Sequence, residues 1–240
     1  MIKKILIAML CVAPAHAIEE AVTAGNLKTE PVEVSSTMSS TERRVRESAV
    51  KVVTLAGHGS GGLIRYKDFQ LVITAQHVAD GDLGTTYGVQ TESERHTGVL
   101  IYADALHDIA VLFIVDHFVH TKGVKWKPSQ ELAKVATEIT YSGFPSWHSL
   151  MTYRGRVAGY ELDQSAGTQL MLNTYGWFGC SGALIYNVEG NAVGVLWGVD
   201  LQRGLPQENM IWVSPIQNLN LKLALRPLCE GMNNKPKACQ

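Results

Sequence analysis

The chain has 240 residues, with 21 basic and 22 acidic side chains, a formal net charge of −1 and a hydrophobic share of 46%. So even a balance argues against a nucleic-acid or anionic-membrane surface as the main partner. The first residues read as an export signal: Lys3 and Lys4 precede a short apolar run from Ile5 to Ala13, and Ala15-His16-Ala17 supplies a small-x-small cleavage site. The run is too short to span a bilayer, and Leu10 before Cys11 disfavours a lipoprotein. Removing residues 1–17 takes away two lysines and no acid, moving the formal charge from −1 to −3. The expected destination is secreted or periplasmic, with no membrane attachment once the signal is gone.

Residues 18–48 are rich in Glu, Ser, Thr and Lys and poor in large apolar groups, so a flexible lead-in is expected there. Its end, Glu42-Arg43-Arg44-Val45-Arg46-Glu47, reads as a solvated charge run. From Ala49 onward come short β-like runs at 50–55, 62–66, 69–75, 99–103, 109–115, 139–143, 156–160, 169–174, 183–186 and 193–199, with turn residues between them. No helical pattern of ten or more residues separates them, which favours a barrel or sandwich over a parallel sheet. Ser214 and Pro215 offer an N-cap and a first-turn proline. Ile216, Leu219 and Leu223 then share one face of a short helix that closes the domain. Gly57-His58-Gly59-Ser60-Gly61-Gly62 contains Gly-x-Gly-x-x-Gly after a strand. Leu63-Ile64-Arg65-Tyr66 continues it as strand, however, and opens no helix N-terminus for a pyrophosphate.

Three residues stand out chemically. Ser181 lies in Gly179-Cys180-Ser181-Gly182 between an aromatic run and an apolar one, on an expected sharp turn where backbone amides crowd its hydroxyl. A seryl hydroxyl is a poor nucleophile until a base takes its proton and a carboxylate orients that base. All eight histidines precede Ser181, which excludes an α/β-hydrolase elbow, where the histidine follows the serine. His77 ends a period-two pattern running from Phe69 into the turn Asp80-Gly81-Asp82, and a rigid strand end can aim an imidazole. Asp108 opens the apolar run 109–115, where a carboxylate is partly desolvated unless it is hydrogen-bonded; an imidazole N–H is its natural partner.

Thr74-Ala75-Gln76-His77-Val78, Asp108-Ile109-Ala110-Val111-Leu112 and Gly179-Cys180-Ser181-Gly182-Ala183-Leu184 resemble the three signature blocks of the chymotrypsin/trypsin-like serine proteases, in the same order. Gly59-Ser60-Gly61-Gly62-Leu63-Ile64 is similar to the early strand of bacterial members. Ser142-Gly143-Phe144-Pro145 resembles the strand end that opens their second barrel, and Val193-Gly194-Val195-Leu196-Trp197-Gly198 the substrate-pairing strand. The likeness runs from about Ala49 to Leu223. It implies an all-β fold of two packed six-stranded antiparallel Greek-key β-barrels with a short C-terminal helix. Residues 49–125 would carry His77 and Asp108, residues 126–224 would carry Ser181 and the helix, and 225–240 would form a tail.

The resemblance further implies a monomeric serine endopeptidase acting on protein or peptide substrates through an acyl-enzyme, with no cofactor and no metal. Ser181 would be the nucleophile, His77 the base, Asp108 its orienting partner, and the N–H groups of Gly179 and Ser181 the oxyanion hole. A substrate would pair with Leu196-Trp197-Gly198. Tyr175 and Gly176 would lie at the base of the primary pocket with Gly198 on its wall. No acid falls at that base, so cleavage after Arg or Lys is disfavoured unless Asp200 swings in. Cys180 occupies the place where animal digestive enzymes carry an Asp that receives a newly cut N-terminus, so that activation route is not expected.

Viral cysteine proteases of similar fold put Cys directly before the last Gly of Gly-x-Cys-Gly, a slot held here by Ser181, so Cys180 is not expected to be the nucleophile. Export makes disulfides possible, and Cys229 with Cys239 would close a small loop worth about 2–3 kcal/mol. His117 and His120 lack neighbours to complete a tetrahedral metal site. The competing reading is an exported barrel kept as a protein-binding module with a disabled site.

Overall fold

A computed structural model of the chain describes residues 37–231 and 236–239. The export signal expected at 1–17 lies outside the described residues. A helix α1 (Ser40–Ser48) leads into β1 (Ala49–Val53), β2 (His58–Tyr66), β3 (Phe69–Thr74), β4 (Thr86–Gln90), β5 (Arg95–Asp104), β6 (Ile109–Ile114) and β7 (Val124–Lys125). The first six strands close in the order β1-β4-β5-β6-β3-β2, with β1 pairing back onto β2 and β7 added in parallel to β2. A second antiparallel barrel follows, from β8 (Glu138–Gly143), β9 (Met151–Asp163), β10 (Gly167–Asn173), β11 (Leu184–Asn187), β12 (Ala192–Gln202) and β13 (Leu205–Pro215), closed in the order β10-β13-β12-β11-β8-β9.

β3 and β6 show how the sequence places the site. Both are rich in Val and Ile, which suit a pleated, buried surface, and they pair antiparallel from Leu71↔Phe113 to Thr74↔Ala110. That register sets the end of β3 beside the start of β6, so the residues just after Thr74 meet the residue just before Ile109. Leu63, Leu71, Ile73 and Leu112 are fully buried in this barrel, each contributing about 1.5–3 kcal/mol through burial. Tyr141, Leu170, Leu172 and Ile185 fill the second barrel. The Tyr141 hydroxyl donates to the Tyr175 carbonyl, so its polar end is satisfied inside the core.

The described end of the lead-in departs from expectation. Residues 40–48 form a helix rather than a flexible segment, because Ser39 and Glu42 make a capping box: Glu42 N–H donates to Ser39 Oγ at 3.2 Å and Ser39 N–H to Glu42 Oε2 at 2.7 Å. The helix is fastened to the second barrel. Arg154 donates through both Nε and Nη2 to the Glu42 carboxylate, and Arg46 donates to the Leu150 carbonyl at 3.0 Å and to Thr152 Oγ1 at 3.1 Å. Val45 and Ser48 are buried beneath it.

The C-terminal helix also forms differently. Ser214 and Pro215 still belong to β13, and Ile216–Asn218 makes only a 3₁₀ turn. Asn220, accepting from Leu223 N–H, caps the helix α2 (Leu221–Ala224), and α3 (Arg226–Glu230) follows. Leu221 and Leu225 pack inward while Leu223 faces solvent. The cap lies six positions later than Ser214, and the buried face rotates with it. Cys229 and Cys239 are joined by a disulfide.

Arg154 chiefly, with help from Ser39 and against a burial effect of opposite sign, holds the Glu42 carboxyl at about 2 rather than 4.5. Its folded value lies below its unfolded one, so its stabilisation is present above pH 4.5 and is lost as the pH falls towards 2. Glu42→Gln is therefore expected to melt below wild type at pH 6, with the gap closing over that acid interval in parallel thermal scans.

Candidate active site

β3 ends at Thr74, and the chain then makes a single helical turn, with Val78 N–H and Ala79 N–H both donating to the Ala75 carbonyl. Ala75, Val78 and Ala79 are buried, which leaves His77 projecting outward with its side chain 47% exposed. Asp108 sits at φ +53°, a left-handed conformation that Asp tolerates better than most residues. The turn before it is fixed by Asp104, whose Oδ1 accepts from Leu106 N–H at 3.0 Å and His107 N–H at 3.1 Å. Its Oδ2 takes His107 Nδ1–H at 2.7 Å.

Asp108 grips His77 at two points. Its Oδ1 accepts from the His77 backbone N–H at 2.8 Å and its Oδ2 from the ring Nδ1 at 2.6 Å. A carboxylate only accepts, so Nδ1 carries the proton, and in the neutral ring the lone pair is left on Nε2. The nearest polar groups thus fix both the ring's orientation and its tautomer.

Ser181 lies on the loop between β10 and β11, and every turn of that loop is anchored. The Phe178 carbonyl accepts from Ser146 N–H at 2.6 Å, the Gly179 carbonyl from Ser60 Oγ at 2.7 Å, the Cys180 carbonyl from Ala183 N–H at 3.0 Å and the Ser181 carbonyl from Ser60 N–H at 2.7 Å. In a trans peptide the carbonyl and the following N–H point in opposite directions. Bonding the carbonyls of Phe178 and Cys180 therefore turns the N–H groups of Gly179 and Ser181 the other way, and neither has an acceptor among the described residues. They are unengaged donors on either side of Cys180.

Glycine is required twice in this loop. Gly179 has φ +92°, and a Cβ there would stand 2.4 Å from the Phe144 carbonyl oxygen. Gly182 has φ +89°, and a Cβ there would stand 2.1 Å from the Ser60 carbonyl oxygen and 2.2 Å from Thr74 Oγ1. Cys180 is fully buried in the second barrel's core, and burial pushes its thiol up, which keeps it protonated and unreactive.

His77, Gly179 and Ser181 line one cleft of about 910 Å³, together with His58, Phe178 and residues of the first barrel. No hydrogen bond joins His77 to Ser181 among the described residues. His58 donates from Nε2 to the Phe144 carbonyl at 3.0 Å and packs on Trp147, and burial pushes its pKa down against the opposing effect of that bond.

Tyr175, Gly176, Leu196, Trp197 and Gly198 do not line that cleft. Leu196 is buried, and its carbonyl accepts from Gly182 N–H at 2.7 Å, so its backbone braces the turn that carries Ser181. Trp197 stacks on Trp212 and donates to Gln169 Oε1 at 3.1 Å. Gly198 faces open space. β11 stops pairing with β12 at this point, so from Trp197 to Gln202 the strand has β13 on one edge and no strand on the other among the described residues. Gly176 N–H donates to the Glu208 carbonyl at 2.7 Å, and the Tyr175 ring meets Tyr153 in a tilted contact. Sequence reasoning missed Ser60, His58, Asp104 and His107. The Asp-x-x-His spacing just ahead of Asp108 was the one available signal for the last two.

A family described as trypsin-like peptidase domain matches residues 59–195, more than half of the chain. No curated protein sequence matches. The fold is similar to solved structures of Rv3671c from M. tuberculosis. The active form of that protease has a TM-score of 0.62 at 16% identity, covering 87% of this chain and 96% of that one. An inactive form gives 0.60 at 17% identity, covering 78% and 92%. A serine-to-alanine mutant in the inactive form gives 0.62 at 16%, covering 85% and 96%. These likenesses establish a chymotrypsin-like double barrel for this chain.

The two kinds of glycine separate experimentally. Gly182→Ala should lose more than about 3 kcal/mol in urea unfolding, because both backbone strain and a backbone clash oppose it. Gly198→Ala, placed in open space, should change stability by less than about 1 kcal/mol.

Proposed function

Since the chain belongs to the trypsin-like peptidase family, we propose that it is a serine endopeptidase with Ser181 as nucleophile, His77 as general base and Asp108 as the group that orients the base. The observation that carries this reading is the two-point grip of Asp108 on His77, at 2.8 and 2.6 Å, in the cleft that also holds Ser181. Ser181 Oγ attacks the scissile carbonyl carbon and gives its proton to His77 Nε2. Asp108 steadies the imidazolium without being protonated itself. The carbonyl oxygen, now negative, lies against the N–H groups of Gly179 and Ser181, whose loss in comparable sites costs about 3 kcal/mol of barrier. His77 then hands the proton to the leaving amine, and water repeats the sequence on the acyl ester. The bond from Ser181 Oγ to His77 Nε2 belongs to the substrate complex in this proposal, since such bonds commonly tighten only there.

The unpaired edge of β12 beyond Leu196 supports binding of a peptide substrate as an added strand, with main-chain bonds giving affinity. Tyr175, Gly176 and Gly198 are uncharged and Asp200 stays in the ladder opposite Gln207, which supports a preference for small or apolar side chains; Glu208, whose carbonyl accepts from Gly176 N–H, is the acid next to this place. Action outside the cytoplasm is part of the proposal. The Cys229–Cys239 disulfide supports it, and no helix among the described residues is long and apolar enough to cross a membrane.

A fluorophosphonate probe should label Ser181 in the folded protein, and labelling should vanish in His77→Ala. Peptide cleavage should fall about 10⁴-fold or more in Ser181→Ala. Absence of labelling in well-folded protein would instead favour a binding module. Ser60→Ala, which frees the Gly179 carbonyl, should lower kcat by about ten- to a hundredfold with KM little changed, as expected for a group acting on the oxyanion donors rather than on the substrate.

A further inference from the structure

Phe144, just past the end of β8, is gripped at three points by the first barrel. Its N–H donates to Ser60 Oγ at 2.9 Å, its carbonyl accepts from His58 Nε2 at 3.0 Å, and Lys51 Nζ stands 5.0 Å from the centre of its buried ring. A carbonyl only accepts, so Nε2 carries the proton of the neutral His58 ring. Among the described residues that ring makes no other hydrogen bond.

Two residues on, Ser146 has φ +49°, a left-handed conformation that is strained for a residue other than glycine and persists only where its surroundings impose it. His148 N–H closes the same turn on the Pro145 carbonyl at 3.0 Å, and Ser146 N–H reaches the Phe178 carbonyl at 2.6 Å. The Phe178 carbonyl and the Gly179 N–H belong to one peptide, so holding the first aims the second. Packing agrees with the bonding. A Cβ at Gly179 would stand 2.4 Å from the Phe144 carbonyl oxygen, 2.9 Å from His58 Nε2 and 3.2 Å from Ser146 N, so these three groups form the wall behind residue 179. Ser60 holds the Gly179 carbonyl, in the peptide after that residue. The peptide before it has its own support.

We propose that His58 is a positioning residue for the oxyanion donor at Gly179: by holding the Phe144 carbonyl it fixes the turn at Ser146, which fixes the peptide that carries the donor. This role rests on the serine-endopeptidase reading above, and it makes a donor of the second barrel answer to a side chain of the first.

The test uses the full chain, with Ala-Ala-Ala p-nitroanilide as substrate and the matching tripeptide aldehyde as inhibitor. Ser181 Oγ adds to the aldehyde carbon, its proton passing to His77, and the oxygen is left in the place of the oxyanion. His58→Leu keeps bulk and loses the donor; it should lower kcat about tenfold with KM within about twofold of wild type, and raise the aldehyde Ki about tenfold. His58→Gln, whose amide N–H reaches about as far as Nε2, should stay within about threefold of wild type on all three. A merely structural role would leave the ratio of aldehyde Ki to KM unmoved. Should His58→Leu unfold at the assay temperature, His58→Asn, whose amide stops one bond short, takes its place with the same expectation. Wild-type kcat without the donor, equal losses in His58→Leu and His58→Gln, or a rise in KM matching that in Ki would each overturn the role of His58 alone. A wild-type chain that neither hydrolyses the anilide nor takes up a fluorophosphonate would sink the endopeptidase reading and this role with it.

Discussion

Ser60 is the residue through which the two barrels and the Ser181 loop are held to one another. It is fully buried on β2, and each of its polar functions is engaged. Its N–H donates to the Ser181 carbonyl, its Oγ donates to the Gly179 carbonyl and accepts from Phe144 N–H, and its carbonyl accepts from Thr74 Oγ1. Ser60 and Thr74 belong to the first barrel, whereas Phe144, Gly179 and Ser181 belong to the second. A buried polar group left unpaired is expensive, so this arrangement has one low-energy geometry rather than a range of them. That geometry fixes how far the loop carrying Ser181 stands from the turn carrying His77.

The glycines around Ser60 follow from the same constraint. A Cβ at Gly59 would stand 2.5 Å from Val78 and 2.9 Å from the Ser181 carbonyl oxygen, and one at Gly62 would stand 2.6 Å from Leu184 Cβ. In the run that mimics a dinucleotide fingerprint, Gly62 meets the second barrel, Gly59 meets Val78 and the Ser181 loop, and Gly61 meets Val72 and Val50 of its own barrel. Cys180 completes the seam from the other side: an apolar, protonated thiol fills the core where an ionised side chain would have to be paired or hydrated. The Ser181 loop is thus held by hydrogen bonds on one flank and by packing on the other.

What the sequence made legible was local. The strand runs, the His77 turn, the Asp108 strand mouth and the glycine-bounded Ser181 each carry a short-range pattern. β13 was not legible, because Pro206, Gln207, Glu208 and Asn209 dilute its alternation; it is the turn at Arg203 and Gly204, both at positive φ, that folds it back onto β12. The α1 helix did carry a signal, the Ser39-x-x-Glu42 capping box, but low hydrophobicity outweighed it; the tertiary contacts of Glu42 and Arg46 with the second barrel are what make the segment worth ordering. Ser60 could not be read at all from one chain. A serine between glycines looks like a turn residue, and its importance comes chiefly from partners more than eighty positions away.

This division makes the relative placement of the barrels the quantity that the proposed catalysis depends on. His77 and Asp108 belong to the first barrel and are rigid with respect to each other, since β3 and β6 are paired up to Thr74 and Ala110. Ser181 and the two unengaged amides belong to the second and are rigid with respect to each other through the carbonyl anchors. Neither half can drift internally and Ser60 sets the spacing of their backbones, so what is left to vary is the approach of the His77 and Ser181 side chains, which no hydrogen bond joins among the described residues. A peptide lying along β12 and reaching past Ser181 into the cleft beside His77 would touch both halves at once. In the proposed reaction, substrate binding energy would then be available to bring those side chains together, which is where transition-state stabilisation would have most to gain.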